Sequence, residues 1–186
     1  MSLEALLARG KRVHYLCQDE TRVGMKTLTG KVITAPGVKP TVEVKWERDN
    51  FWIYGAIEPL TGDHFLHEYP QLNGEYFQEF LDWLSQQLGS DYAILQLDCA
   101  PAHISSAIQW PENLIPLVQP SHSPELNPIE RLWHFLKQPL KHQLFSSLQA
   151  LRDRIQELFD QLTFEIVMSV SSYNFILEAL FYAASH

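Results

Sequence analysis

Three carboxylates carry the chemical promise of this sequence, each beside a stretch that could hold it still. Asp98 ends the apolar run Ala93-Ile94-Leu95-Gln96-Leu97 and precedes a turn at Pro101. Asp19 follows Val13, Tyr15 and Cys17, which alternate with His14, Leu16 and Gln18. Glu130 comes just after Asn127-Pro128, at the start of a helical stripe. Taken alone, Asp98 reads as a turn or helix cap, because short polar side chains there satisfy free backbone N–H groups. Brought together, the three make a site for hard divalent cations, Mg²⁺ or Mn²⁺, which prefer oxygen ligands. Two such ions about 3.5 to 4 Å apart clamp the attacking and leaving oxygens of an in-line phosphoryl transfer. Clustering like charges is costly without a cation, so convergence would itself imply metal.

Convergence requires particular elements. Residues 93–97 read as a buried strand with Asp98 at its C-terminal end, the edge where open α/β sheets bind ligands. Val13 onward reads as a strand that ends in Asp19 and Glu20, the two pointing to opposite faces. Asn127 is a good N-cap and Pro128 suits the first helical position. The helix that follows buries Ile129, Leu132, Trp133 and Leu136, and Pro139 ends or kinks it. Glu130, about 100° around from Ile129, falls at the border of the buried face and can look into a cleft.

The rest of the chain supplies the frame. Residues 22–40 read as a loop or irregular hairpin with a brief β-like stretch at 31–34. Thr41 to Trp46 and Phe51 to Ile57 read as a hairpin, and His64 to Tyr69 as a third strand. Asn73 precedes a helical stripe of Glu75, Tyr76, Phe77, Phe80, Leu81, Trp83, Leu84 and Leu88, which ends at Gly89. A short helical segment is predicted after Pro101 to about Trp110, then a strand at Leu114 to Val118 and an extended proline-rich loop. Residues 146–186 read as two helices, one capped by Ser147 and one running from Phe164 to Ala184. Leu3, Leu6 and Leu7 before Gly10 suggest a short helix ending a linker over residues 1–12. The sum is one α/β domain over 1–186, a mixed central sheet flanked by helices.

Composition bounds the function. The chain has 186 residues, with 22 Asp and Glu against 14 Lys and Arg and a net charge of -8. Strong nonspecific nucleic-acid binding by the whole surface is thereby disfavoured, since it relies on phosphate neutralisation. A nucleic-acid role would need a local basic patch, bound metal or a partner domain. Two cysteines, Cys17 and Cys99, are too few for a disulfide scaffold or a four-cysteine zinc site. No apolar run reaches the roughly 18 to 20 residues of a membrane span, so a soluble cytoplasmic protein is expected.

Gln18-Asp19-Glu20, then Leu97-Asp98-Cys99-Ala100-Pro101-Ala102-His103, then Ser123-Pro124-Glu125-Leu126-Asn127-Pro128-Ile129-Glu130-Arg131-Leu132-Trp133 resemble the catalytic domain of DDE transposases. The likeness is to the bacterial insertion-sequence branch of the mariner superfamily, and the third motif is the most specific. The resemblance implies a ribonuclease-H-like fold with Asp19, Asp98 and Glu130 as a metal-binding catalytic triad. It also implies Mg²⁺ or Mn²⁺, DNA as partner, and strand cleavage followed by strand transfer. Cys99 departs from the family, which usually has Asn there. His103 fits the motif and is a candidate to orient an active-site group; His122, Asn127, Arg131 and Lys137 are candidate DNA-contacting or supporting residues. No N-terminal helix-turn-helix precedes Asp19, so the expectation is a catalytic domain that works as a homodimer or with a missing DNA-binding domain or partner chain. Two alternatives stay open: another ribonuclease-H-like nuclease or resolvase, and a decayed or domesticated fragment serving as a non-catalytic binding or oligomerisation module.

Overall fold

The computed structural model describes residues 10–41, 43–100, 103, 105–120, 123–174 and 178. Five strands form one mixed sheet in the order β3-β2-β1-β4-β5: β1 Val13–Gly24, β2 Asn50–Ile57, β3 His64–Tyr69, β4 Tyr92–Leu97 and β5 Leu114–Val118. β1, β2 and β3 run antiparallel, whereas β4 and β5 run parallel to β1. Alternation along β1 sends Leu16 to one face and Cys17 to the other, so each face builds its own core. Helix α1, Gly74–Leu88, covers the Leu16 face with Phe77, Phe80, Leu81, Leu84 and Leu88. Each such side chain contributes roughly 1.5 to 3 kcal/mol by leaving water. Asn73 accepts the Tyr76 N–H and Gly89 closes the helix with φ 59, a value that favours glycine. Helices α2 Ile129–Lys137, α3 Leu148–Asp160 and α4 Phe164–Ser171 cover the Cys17 face.

Several expectations change. β1 does not end at Asp19 and Glu20 but continues to Gly24, because β2 pairs with it as far as Gly24 opposite Asn50. The hairpin partner of β2 is therefore β1, and neither 41–46 nor 31–34 forms a strand among the described residues. Their β-branched residues lack a sheet face to pack on, with Ile33 99% and Trp46 72% exposed. Of the segment expected to be helical after Pro101, the described residues 103 and 105–110 make turns and irregular backbone rather than a helix. Gln78 of α1 takes over the backbone groups of Gln109, donating to its carbonyl at 2.8 Å and accepting its N–H at 2.7 Å. The helix from Phe164 is interrupted after Ser171, where Ser172 donates its hydroxyl to the Pro59 carbonyl; beyond it Asn174 and Glu178 are helical among the described residues. Residues 1–9, with their expected helix, lie outside the described residues. Cys17 and Cys99 are both free.

Candidate active site

Asp19 and Asp98 come level through strand register. Cys17 of β1 lies opposite Gln96 of the parallel β4, so the two aspartates, each two residues further on, project from the same edge. Asp19 is thus mid-strand for β1 yet at the C-terminal edge of the parallel pair. Its partner across β2 is Gly55. A Cβ on Gly55 would come within 2.5 Å of Trp133 Cη2, so the bare backbone there is what lets the indole lie over the sheet. Trp133 Nε1 in turn donates to Asp19 Oδ2 at 3.0 Å.

The third carboxylate arrives on α2. Pro128 already has helical angles (φ -56, ψ -30), and the extended Asn127 before it caps the turn as expected, accepting the Ile129 N–H at 3.4 Å. Asn127 is 2% exposed, and its Nδ2 donates to the Gln18 carbonyl at 2.8 Å, tying the helix start to β1. Below it, Gln96 Nε2 donates to Gln119 Oε1 and to the Leu126 carbonyl, both at 3.0 Å, while the Tyr15 hydroxyl donates to Gln96 Oε1. This neutral network fixes the loop without adding charge.

Asp19, Asp98 and Glu130 line one cavity of about 100 Å³ together with Gln119, Ser123 and Asn127, and among the described residues no Lys or Arg lines it. Burial first, then the charges of Glu20 and Glu130, push the Asp19 carboxyl up to about 7, against the opposing hydrogen bonds from the Glu20 backbone and Trp133. Asp98 is held through one oxygen: Oδ1 accepts the Ala100 N–H at 3.0 Å and His103 Nδ1 at 2.7 Å. His103 Nε2 meets Glu20 Oε1 at 3.1 Å, and Gln18 Nε2 donates to the same oxygen at 2.8 Å. Burial alone would lower the His103 pKa, but Glu20 and then Asp98 overcome it and raise it to about 9. The ring is therefore an imidazolium at neutral pH, donating from both nitrogens, with Phe77 packed against it at 4.4 Å.

The other candidates divide. Lys137 Nζ donates to Thr21 Oγ1 at 2.5 Å; burial lowers its pKa against the pull of Glu130 and Asp19. Arg131 does not line the cavity; its guanidinium lies 4.0 Å above the Tyr173 ring, in an adjoining groove that Glu130 shares with His134 and Phe135. His122 lies outside the described residues. Glu20, Gln18, Gln119, Gly55 and Trp133 were not singled out by sequence for this edge; a glycine inside a strand was the available signal, since it marks close approach. A second group, His14, Glu58 and Asp63, has ligand atoms within 4.8 Å of one another, a spacing that Asp19, Asp98 and Glu130 do not meet. It lies toward the other end of β1, and its own hydrogen bonds account for it: His14 Nδ1 to Glu58 Oε2 at 2.7 Å, and Thr61 Oγ1 to Glu58 at 3.1 Å and Asp63 at 2.8 Å.

Known proteins share this arrangement of elements. The Mos1 transposase paired-end complex with left transposon end matches with a TM-score of 0.66 at 20% identity, over 91% of this chain and 54% of that one. The Mos1 mariner paired-end complex with Mn matches at 0.64 and 21% identity, over 89% and 55%. The simian T-cell lymphotropic virus intasome in complex with PP2A regulatory subunit B56 gamma matches at 0.51 and 12% identity, over 82% and 50%. At such identities the likeness establishes the fold, which is ribonuclease-H-like. An uncharacterised protein, y4pE/y4sA of Sinorhizobium fredii (strain NBRC 101917 / NGR234), is 32% identical over 87 residues, 46% of this chain and 64% of that protein. The chain thus spans about half the length of the solved chains and under two thirds of the curated relative. Residues 14–152, which carry all three carboxylates and the network that holds them, match the DDE superfamily endonuclease family, and the chain belongs to it.

Proposed function

We propose that this chain is the catalytic domain of a transposase, cutting DNA strands and joining them to new sites by metal-dependent phosphoryl transfer. The observation that carries the reading is the convergence of Asp19, Asp98 and Glu130, from three separate elements, on one cavity. The donor set fits Mg²⁺ or Mn²⁺: the oxygens are hard, and the mutual repulsion that raises the Asp19 pKa is what a divalent cation would relieve. Bound there, the ions would activate a water or a DNA 3′-hydroxyl and offset charge developing on the phosphate. The chain's own groups would then act as ligands and supports. Asp98 is oriented through Oδ1 by His103 and the Ala100 N–H, and no hydrogen bond among the described residues occupies its Oδ2. Trp133 sets the plane of the Asp19 carboxylate, and Asn127 sets the level of Glu130.

Similar Mos1 structures are complexes with a transposon end and with Mn, which supports DNA and a divalent metal as partners here. We propose further that residues 1–186 act as one domain and that transposon-end recognition comes from another region or a partner chain, a second copy included. No helix among the described residues is long and apolar enough to cross a membrane. Action on bacterial DNA would place the protein in the cytoplasm, at the nucleoid. Incubation of the protein with supercoiled plasmid in Mn²⁺ tests the reading. Nicking and joining by wild type, lost in Asp98→Asn, are expected; equal behaviour of the two at stoichiometric protein would leave the non-catalytic module as the better account.

A further inference from the structure

We infer that a groove beside the carboxylate cavity, formed by Arg22, Lys26 and Lys137, is the track for the phosphodiester backbone of the DNA strand entering the site. The inference rests on the DNA reading above and adds the place where the strand's charge is met.

The groove encloses about 520 Å³ and is lined by Arg22, Lys26, Thr27, Thr29 and Lys137, with no carboxylate among its lining residues. In a chain with 22 acidic and 14 basic residues, three cations gathered without an acid are out of proportion to the composition. The ion pairs among the described residues use Arg12, Lys45, Arg152, Arg154 and histidines, and none uses Arg22, Lys26 or Lys137. Arg22 and Lys26 therefore face solvent in a concave surface, where walls of low dielectric concentrate their field, and Lys137, half-buried against Thr21 and drawn toward Glu130 and Asp19, joins them to the carboxylate cavity.

Position connects this surface to the chemistry. Lys137 lies on the same helix as Glu130, seven residues on, so about 10 Å along its axis and on nearly the same face. Its Nζ is anchored on Thr21, two residues beyond Asp19 on β1, and Arg22 is the next residue of that strand. The groove thus starts beside the carboxylate cavity and follows the continuation of β1 away from it. At the far side, the Lys26 ammonium is held 4.6 Å above the Trp46 ring, which restricts a side chain that would otherwise be free to wander. A row of cations leading out of a carboxylate cavity, two of them held by neighbouring side chains, matches a chain of phosphates, one of which would sit among the carboxylates. Contacts of this kind position a strand and carry no sequence information.

The test uses the whole chain and the double variant Arg22→Gln/Lys26→Gln, which spares the cavity and Lys137. Binding of a labelled 30-base-pair duplex is measured in Ca²⁺ from 50 to 200 mM salt, with poly-glutamate and inorganic phosphate as competitors. Losing two phosphate contacts should reduce the slope of log affinity against log salt by about 1.4 to 1.8 and remove about tenfold of the salt sensitivity over that range. The loss should be the same for unrelated duplex sequences, and thermal stability should be unchanged. In Mn²⁺, the variant should nick plasmid with raised KM and unaltered kcat. An unchanged slope, failure of wild type to bind DNA at 50 mM salt, or displacement of DNA by poly-glutamate at equal charge would overturn the assignment. If the slope falls as expected while wild type fails to nick, the groove stands and the enzymatic reading falls. If wild type nicks and the variant matches its KM and slope, the groove falls and the enzymatic reading stands.

Discussion

Replacing Asp19 by Asn should make the metal-free protein more stable while removing its response to metal. Asp19 carries a carboxyl pushed from 3.8 to about 7 by burial and by the neighbouring charges of Glu20 and Glu130. At 1.36 kcal/mol per pH unit, that displacement corresponds to about 4 kcal/mol by which ionising the group disfavours the fold at pH 8. The sign follows from proton counting. Between 3.8 and about 7 the folded state holds a proton that the unfolded state has released, so stability falls as pH rises through that window and levels off above it. Asn keeps an acceptor for Trp133 Nε1 but adds an amide N–H pair that needs partners, at a cost of about 1 to 2 kcal/mol. A net gain of about 2 to 3 kcal/mol at pH 8 remains, equivalent to roughly 4 to 12 °C in Tm for a chain of this size. At pH 5 wild-type Asp19 is protonated and the advantage should disappear. Melting curves of both proteins at pH 5 and pH 8, with and without Mn²⁺, give all the quantities needed. At pH 8, Mn²⁺ at 100 times its Kd should stabilise wild type by about 2.7 kcal/mol and the variant by much less. The reasoning is refuted by a folded variant no more stable than wild type at pH 8, by an advantage that persists at pH 5, or by equal stabilisation of both by Mn²⁺.

Four further substitutions probe the supports. His103→Ala should cost about 3 to 5 kcal/mol in urea denaturation, because it leaves the Glu20 carboxylate, 5% exposed, without its cation. Adding Glu20→Gln should recover a large part of that loss, a coupling that two independent sites would not show. Since the folded pKa of His103 is about 9, above its ordinary 6.5, its contribution is complete below about 6.5 and fades as pH climbs through about 9. Wild type should therefore lose stability over that alkaline range and His103→Ala should not. Gly55→Ala places a methyl 2.5 Å from Trp133 and 2.9 Å from Leu66, an overpacking worth about 1 to 3 kcal/mol, and should raise the Mn²⁺ concentration needed for nicking by displacing the donor to Asp19. Asn127→Ala removes the 2.8 Å bond to the Gln18 carbonyl and a helix cap; about 1 to 2 kcal/mol of stability and most of the nicking rate should go with it.

What the sequence disclosed and what it hid follow the range of the interactions involved. The strand before Asp98, the capped helix from Asn73 to Gly89 and the Asn127-Pro128 helix start are local patterns, and each forms where its own residues place it. The three carboxylates could be picked out because each terminates or opens such a pattern. The extent of β1 could not, since residues 21–24 are strand only by virtue of β2, whose pairing begins at Asn50 after a long excursion. The same excursion shows the converse: residues 41–46 have strand-forming side chains and make no strand, because propensity without a facing surface is too weak to decide.

The supports of the site were hidden for a related reason. Glu20 points away from Asp19 by simple alternation, which on sequence alone removes it from the site. His103, beyond the end of β4, reaches around the sheet edge and joins the two faces: Nδ1 on Asp98 and Nε2 on Glu20. Alternation correctly separates the two carboxylates of β1, and a residue from another strand's loop then ties one of them back to the cavity. The consequence is a division of labour readable in the charges. Asp19, on the cavity side, has a carboxyl raised by its surroundings and ready to exchange a proton for a metal ion, whereas Glu20, on the other side, is held beside an imidazolium whose pKa it raises to about 9. On the proposed reading, one adjacent pair of acidic residues thus supplies both a ligand and the anchor for the group that orients a second ligand, Asp98. Exchanging the order of Asp19 and Glu20 would keep composition, charge and strand propensity, and should abolish nicking while leaving the sheet intact, because each face would then receive a carboxylate of the wrong reach.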